Sequence, residues 1–372
     1  MKPWLIVVAS TGLFLLIALT VMYGESPKKV EKNVVPKDLP KPVVGGLETE
    51  GPLATSTAPK FLPAELSGPL SPEAFDIKLT GNRIQTSPIE NPVNAKVDGA
   101  TRWADDDLVL GVTVNQSARA YSLKQLAAAT QSVVNDAVGG EPLVVTWNSE
   151  NRTAVVFHNP AGELPLTFRA VGQTWNTDLV FLDQATESLW SQALGRAIEG
   201  QLRGSGLKAI PSVVCTWKAW RRAFPETTLA NLPESGPDSE ITTMAQARSG
   251  LRRSGSLLVI SPQGEIEIPR AQLLESRVLN KELGGEKIVI FYDEDSDAVQ
   301  AFNSLLVIAP ALEFELRGLQ FAPLRQDTGW NIHNGGADGE NDPARRLQPL
   351  LVLDLPEPLK ALRKPVSSGT TQ

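Results

Sequence analysis

Val134-Asn135-Asp136-Ala137-Val138-Gly139-Gly140-Glu141 is followed by Leu143-Val144-Val145-Thr146-Trp147, and the pattern returns 145 positions later. There it reads Leu279-Asn280-Lys281-Glu282-Leu283-Gly284-Gly285-Glu286 and then Ile288-Val289-Ile290-Phe291-Tyr292, while Phe157 falls on Phe302. In each copy a Gly-Gly pair stands before a β-forming run, so it reads as a hairpin turn needing positive φ and not as a phosphate cradle between strand and helix. Further on the offset slips to 140, pairing Trp190 with Trp330, Gly195 with Gly335, Ala197 with Ala337, Leu207 with Leu347 and Pro225 with Pro365. Two ordered series imply a tandem duplication of one unit, at about 93–233 and, in degenerate form, about 250–366. Residues 234–249, rich in proline, serine and acidic groups, make the connector, and 367–372 a disordered tail.

Around the repeat the chain alternates short β-forming runs with turn residues. The expected strands are Leu108 to Val114, Leu143 to Trp147, Thr153 to His158, Leu166 to Val171, Leu179 to Leu182, Leu257 to Ile260, Lys287 to Tyr292 and Leu312 to Leu316. Helical signals are fewer: Ser122 reads as an N-cap for Leu123 to Ala129, and Trp217 to Phe224 and Arg270 to Ser276 are short amphipathic candidates. The fold class is α+β, β-rich and mostly antiparallel.

Trp4 to Tyr23 carries no charge, and a helix of twenty residues covers roughly 30 Å, the thickness of a hydrocarbon core. It reads as an uncleaved anchor spanning residues 1–23, since the run exceeds a signal h-region and offers only weak small-residue pairs for cleavage. Lys2 on one flank against Lys28, Lys29 and Lys32 on the other opposes export, but large domains translocate largely regardless of charge. The expectation is a single-pass protein of the cell membrane with its domain outside the cytoplasm. Residues 24–92, dense in proline, read as a stalk whose part after Phe61 lies along the domain as an irregular arm.

The net charge of −7, with no basic patch, argues against a nucleic-acid partner. One cysteine, Cys215, cannot form an internal disulfide and reads as a buried small hydrophobe. Cys215, His158 and His333 share no short spacing, so neither a transition-metal site nor any cofactor is implied. The acidic stretches Asp293-Glu294-Asp295-Ser296-Asp297 and Asp338-Gly339-Glu340-Asn341-Asp342 lack the pattern of an EF-hand and read as solvated loops.

Ala118-Arg119-Ala120-Tyr121-Ser122-Leu123, Val134-Asn135-Asp136, Gly139-Gly140, Val144-Val145-Thr146-Trp147, Asp183-x-x-Thr186-Glu187-Ser188-Leu189-Trp190-Ser191-Gln192, Gly195-x-Ala197-x-x-Gly200 and Trp217-x-x-Trp220 stand in order. From about Asp107 to Leu232 this set resembles the DUF3179 family, a domain of unknown function. The resemblance implies a Cys-x-x-Cys after the Val-Thr-Tyr strand and a His-Glu pair before Val-Asn-Asp. Here Asn148 and Asn151 replace the cysteines, and Gln131 and Ser132 the His-Glu pair. The second unit has Asp293 and Ser296 at the positions of 148 and 151. Soft-metal or thiol chemistry at those positions is therefore unavailable to this chain.

The leading expectation is non-catalytic binding of a ligand or envelope partner, with Asn135, Trp190, Asn148 and Asn151 as binding candidates. The rival is a hydrolase-type or hard-metal enzyme with Asp136 and Asp183, joined by Ser188 and His158, converging in a cleft. A third reading is a structural envelope protein with the repeat as assembly surface.

Overall fold

Gly139 and Gly140 have φ of 58° and 84°, and Gly284 and Gly285 58° and 85°, so both pairs take the turn conformation that side chains resist. The computed structural model describes residues 64–65, 77–97, 103–128, 130–159, 166–233, 255–305, 311–317, 320–324, 326, 328–340, 345–354 and 360. Around the first glycine pair, Val133–Val138, Glu141–Asn148 and Thr153–His158 form an antiparallel meander. Val278–Leu283, Glu286–Asp293 and Ala298–Asn303 form the same meander in the same register. Asn135 lies opposite Val144 as Asn280 lies opposite Val289, and Asn148 opposite Thr153 as Asp293 opposite Ala298.

Asn135 and Asn280 recur because each carboxamide acts as a missing peptide group. Asn135 Nδ2 donates to the carbonyls of Phe168 (2.7 Å) and Ile89 (3.0 Å), and its Oδ1 accepts from the Phe168 N–H at 2.8 Å. Asn280 makes the same two bonds with Phe314, at 2.8 and 2.9 Å. Asn135 is buried and Asn280 is exposed, so water can replace only the second. Asn135→Ala is expected to cost about 2–3 kcal/mol and Asn280→Ala about 1 kcal/mol or less. Urea denaturation of the two variants checks the difference, and equal losses contradict it.

The same succession of elements occurs twice: a hairpin, a short helix, the meander, two more hairpins and a returning strand. In the first half these are Leu108–Val114 with Ser117–Ser122, helix Leu123–Leu126, the meander, Phe168–Trp175 with Asp178–Asp183, Leu189–Ser191 with Arg196–Glu199, and Lys208–Ile210 running on into Ser212–Thr216. The second half has Ser256–Ser261 with Gly264–Pro269, helix Arg270–Ser276, its meander, Phe314–Arg317 with Gln320–Pro323, Trp330–Asn331 with Gly336–Ala337, and Gln348–Leu353. Each returning strand pairs with both the meander and the opening hairpin. Ala209 meets Phe157 and Val214 meets Leu110, while Pro349 meets Phe302 and Leu351 meets Ile260. Among the described residues, the first half alone adds helix Trp217–Ala223 and strand Thr228–Asn231, which lies parallel to Ser117–Ser122 and antiparallel to Val93–Lys96.

The fold is thus β-rich and mostly antiparallel, with few helices. Several expected bounds shift. The strand expected at Leu166 begins at Phe168 and continues to Trp175, and the one expected at Leu312 to Leu316 is Phe314–Arg317. The helix from Leu123 ends at Leu126, and Ser122 makes no side-chain capping bond. Thr216 does cap its helix, accepting from the Ala219 N–H at 3.3 Å.

The first meander is covered on both faces, which is why Leu143 to Trp147 reads as a continuous apolar run and not as an alternation. One face packs on Leu108, Leu110, Tyr121 and Leu123, the other on Phe168, Phe181 and Trp190 together with Leu258, Ile260, Leu351 and Leu353 of the second half. Hence the halves share a core.

The anchor candidate Trp4 to Tyr23, residues 24–63 and 66–76 of the stalk candidate, the 234–249 connector and the 367–372 tail lie outside the described residues. No helix among the described residues is long and apolar enough to cross a membrane. Residues 77–92 lie along the domain: Ile77 and Leu79 pack on the cluster of Val171 and Trp175, and Ile84 N–H donates to the Val171 carbonyl at 2.8 Å.

Candidate functional site

The Asp183 to Ser191 block, the most reactive-looking string in the chain, is a fastener in which Asp183, Ser188, Trp190 and Ser191 are buried. Asp183 accepts from the Thr186 N–H (2.7 Å), the Thr186 hydroxyl and the Trp190 indole N–H (2.9 Å), closing an Asx-type turn. Ser188 Oγ lies 2.7 Å from Thr186 Oγ1 and accepts from the Leu202 N–H at 2.9 Å. Trp190 is 1 % exposed and sits edge-on to Phe168, so it is core and not a ligand platform.

Asp136 points away from this group. Asn135 reaches the Phe168 hairpin, so its neighbour faces the other side of the sheet, where Asp136 accepts from Tyr121 Oη at 2.6 Å and pairs with Arg119 Nε at 3.0 Å. Burial pushes its carboxyl up, against the Tyr121 hydrogen bond and the Arg119 charge. His158 is half-exposed and meets Glu141 at 3.2 Å. It stands two strands from Asp136 across Leu143, roughly 10 Å by strand spacing. Asp183 and Ser188 are therefore brought together, but Asp136 and His158 do not join them. The rival convergence is not formed.

Asn148 and Asn151 close their own turn. Asn148 Oδ1 accepts from the Glu150 N–H at 3.0 Å, Asn151 Oδ1 from the Thr153 hydroxyl and N–H, and both Nδ2 groups donate to the Thr177 carbonyl, at 2.7 and 3.3 Å. At the matching place in the second half, Asp293 and Ser296 meet His333. Its Nε2 lies 3.3 Å from Asp293 Oδ2 and 3.4 Å from Ser296 Oγ, while Ser296 donates to the same Asp293 oxygen. Both partners sit on one ring nitrogen, so this is not the relay in which base and orienter use different nitrogens. Burial opposes ionisation of Asp293, but the bonds from His333 and Ser296 win and hold its pKa at about 2. The segment read as a solvated loop is thus anchored: Ser296 is 2 % exposed.

Two concavities lie between the halves. A cleft of about 770 Å³ is walled by Asn94, Arg119 and Trp220 on one side and Gln300, His333 and Gln348 on the other. A smaller cavity of about 360 Å³ runs from Trp147 and Asn151 to Arg270, Ser296 and Asp354. Both volumes fall in the range that holds small molecules. Among the described residues no three His, Cys, Asp or Glu side chains gather as metal ligands.

The profile of the family described as "Protein of unknown function (DUF3179)" matches residues 87–236. Those residues are a DUF3179 domain. No curated protein and no solved structure matches the chain. The DUF3179 match begins inside the segment read as a stalk, in keeping with the pairing of Ile89–Glu90 on Val133–Val138. Within the domain, Ser132 accepts from the Trp147 N–H at 2.9 Å, so the positions of Gln131 and Ser132 adjoin those of Asn148 and Asn151 at one end of the hairpin. That end borders the smaller cavity.

Two groups have partners that the sequence does not show. Asp178, fully buried, accepts from Ser191 and from the Ala193 N–H at 3.0 Å, in a sequence context that reads as an ordinary turn. His333 reaches Asp293 from 40 residues away, and only the repeat alignment hints at it, since Ser296 matches Asn151.

Proposed function

We propose that the chain is a single-pass, membrane-anchored, extracytoplasmic protein, built by tandem duplication of one unit, that binds a ligand without catalysis in the cleft between its halves. The observation that carries the reading is the fate of the positions where DUF3179 relatives are expected to hold reactive side chains. Asn148 and Asn151 spend both amide N–H groups on one backbone carbonyl, while Asp136, Asp183 and Ser188 are closed into buried hydrogen bonds. The cleft of about 770 Å³ is the larger of the two ligand-sized concavities, and its carboxamides and Trp220 suit a ligand carrying hydroxyl or amide groups. Duplication is supported by the matched registers and the twice-used asparagine. Anchoring is supported by the uncharged run from Trp4 to Tyr23.

The full chain is expected to stay with membranes through an alkaline carbonate wash and to be released when residues 1–23 are deleted. External protease is expected to cut it in intact spheroplasts. Native mass spectrometry of the purified chain is expected to show a retained small molecule that Gln300→Ala/Gln348→Ala loses at least ten-fold. Thiol-dependent turnover, or turnover abolished by Asp183→Asn in a folded protein, overturns the non-catalytic reading.

A further inference from the structure

The charges on the cleft walls are answered inside the protein. Arg119 pairs with Asp136 at 3.0 Å and His333 lies 3.3 Å from Asp293 Oδ2, while Glu226 and Arg346 carry opposite signs. The lining therefore has no net charge with which to select an ion. Its uncharged groups stand differently. Gln300 is 6 % exposed, yet among the described residues its carboxamide has no hydrogen-bond partner, and both its polar atoms keep accessible surface. Ala298, Gln300 and Phe302 share one face of strand Ala298–Asn303, and Ala298 packs in the cluster of Val213 and Trp220 in the first half. Gln300 thus projects toward the first half, where it lines the cleft. On the facing wall Val109, Gly111 and Thr113 share the face of Leu108–Val114 that meets Trp220 at Gly111. The Thr113 hydroxyl lines the cleft from that side, again with no partner among the described residues. Val213 lies opposite Gly111, and its strand, Ser212–Thr216, comes within 8 Å of Ala298–Asn303 between Cα atoms, so one molecule can meet both walls.

A carboxamide and a hydroxyl each donate and accept. Adjacent hydroxyls of a sugar do the same side by side, so one vicinal pair can accept from the Gln300 N–H and donate to its oxygen. A peptide takes its specificity from pockets for alternate side chains, but the apolar side chains of this lining belong to the core: Val213, Trp220, Phe302 and Leu347 are 1 to 6 % exposed. We infer that the cleft takes a neutral saccharide, with Gln300 as the buried contact that holds a vicinal pair of its hydroxyls. The inference rests on the cleft being the binding site.

The full chain in lipid nanodiscs is titrated with maltotriose, cellotriose and chitotriose, and with trialanine as the peptide probe, by saturation-transfer NMR. At least one trisaccharide is expected to bind saturably at millimolar concentration or below, at least ten-fold more tightly than trialanine, with an affinity that added salt changes less than two-fold. Gln300→Leu, of similar volume, is expected to weaken it at least ten-fold. Thr113→Val is expected to weaken it at least three-fold and keeps the test open should Gln300→Leu fail to fold. No saturable binding by any of the three, trialanine bound as tightly, or affinity unchanged in both variants overturns the saccharide. The cleft reading survives that failure when a retained molecule other than a sugar is still lost with Gln300→Ala/Gln348→Ala, and both fall when no molecule is retained and no probe binds.

Discussion

Gly111→Val is expected to destabilise the protein by about 3 kcal/mol or more, among the largest losses available to a single substitution. A Cβ at Gly111 falls 2.2 to 2.6 Å from three atoms of the Trp220 ring, closer than van der Waals contact allows. The indole is held in place by its packing and one hydrogen bond. It is 1 % exposed, its Nε1 donates to Thr227 at 2.9 Å, and Phe224 packs on it with ring centroids 4.3 Å apart. Overpacking a core costs about 1–3 kcal/mol, and expelling the ring adds losses like those of Trp→Ala, about 3–5 kcal/mol. Because side chain and ring compete for one space, the two sites must couple. Trp220→Ala alone leaves a void, and Gly111→Val/Trp220→Ala is expected to be more stable than the sum of the single losses by at least about 1 kcal/mol. Urea denaturation of the four proteins decides it. Additive losses, or a Gly111→Val loss below about 1 kcal/mol, remove the packing argument. Since both residues line the cleft, the double variant also opens that wall.

What the sequence made legible follows from how locally each signal is encoded. The two meanders were readable because Gly-Gly turns, recurrent asparagines and apolar runs are short-range features, and their 145-residue offset reappears in the strand registers. Leu189–Ser191 was not readable as a strand. Three residues carry no periodicity, and Asp183, Thr186 and Ser188 in front of it look like a reactive string when their partners are unknown. Their roles emerge only once Leu202 and Trp190 are placed beside them. The same holds for Asn148 and Asn151, whose shared acceptor, Thr177, sits on a different hairpin. Matching positions in the two halves hold different tertiary solutions, two carboxamides on a carbonyl in one and a carboxylate with a hydroxyl on His333 in the other. A backbone that accepts both needs a fastener there and not a particular chemistry.

Stability is expected to fall as pH rises from about 4 to about 7, and Asp178→Asn to remove most of that fall. Burial pushes the Asp178 carboxyl from 3.8 up to about 7, against hydrogen bonds from Ser191 and from the N–H groups of Ala193 and Leu179, all neutral donors. A carboxyl that holds its proton more tightly when folded favours the unfolded state once the unfolded chain ionises. Below about 4 both states are protonated and nothing is lost; above about 7 both are ionised and the full penalty remains. A shift of about three pH units corresponds to about 4 kcal/mol. Asp293 has the opposite sign. Held at about 2, it adds stability above its unfolded value of 3.8 and surrenders it as pH falls toward 2. Asp136, also raised, adds to the fall at higher pH, so the measurement is the difference between wild type and variant. Asparagine can still accept from the Ala193 N–H and donate to the Ser191 hydroxyl, so Asp178→Asn should fold. Urea midpoints between pH 4 and 8 are expected to converge at the acid end and to favour the variant above pH 7. Parallel curves would show that Asp178 is ionised throughout, with its three neutral donors sufficient to hold the charge in the core.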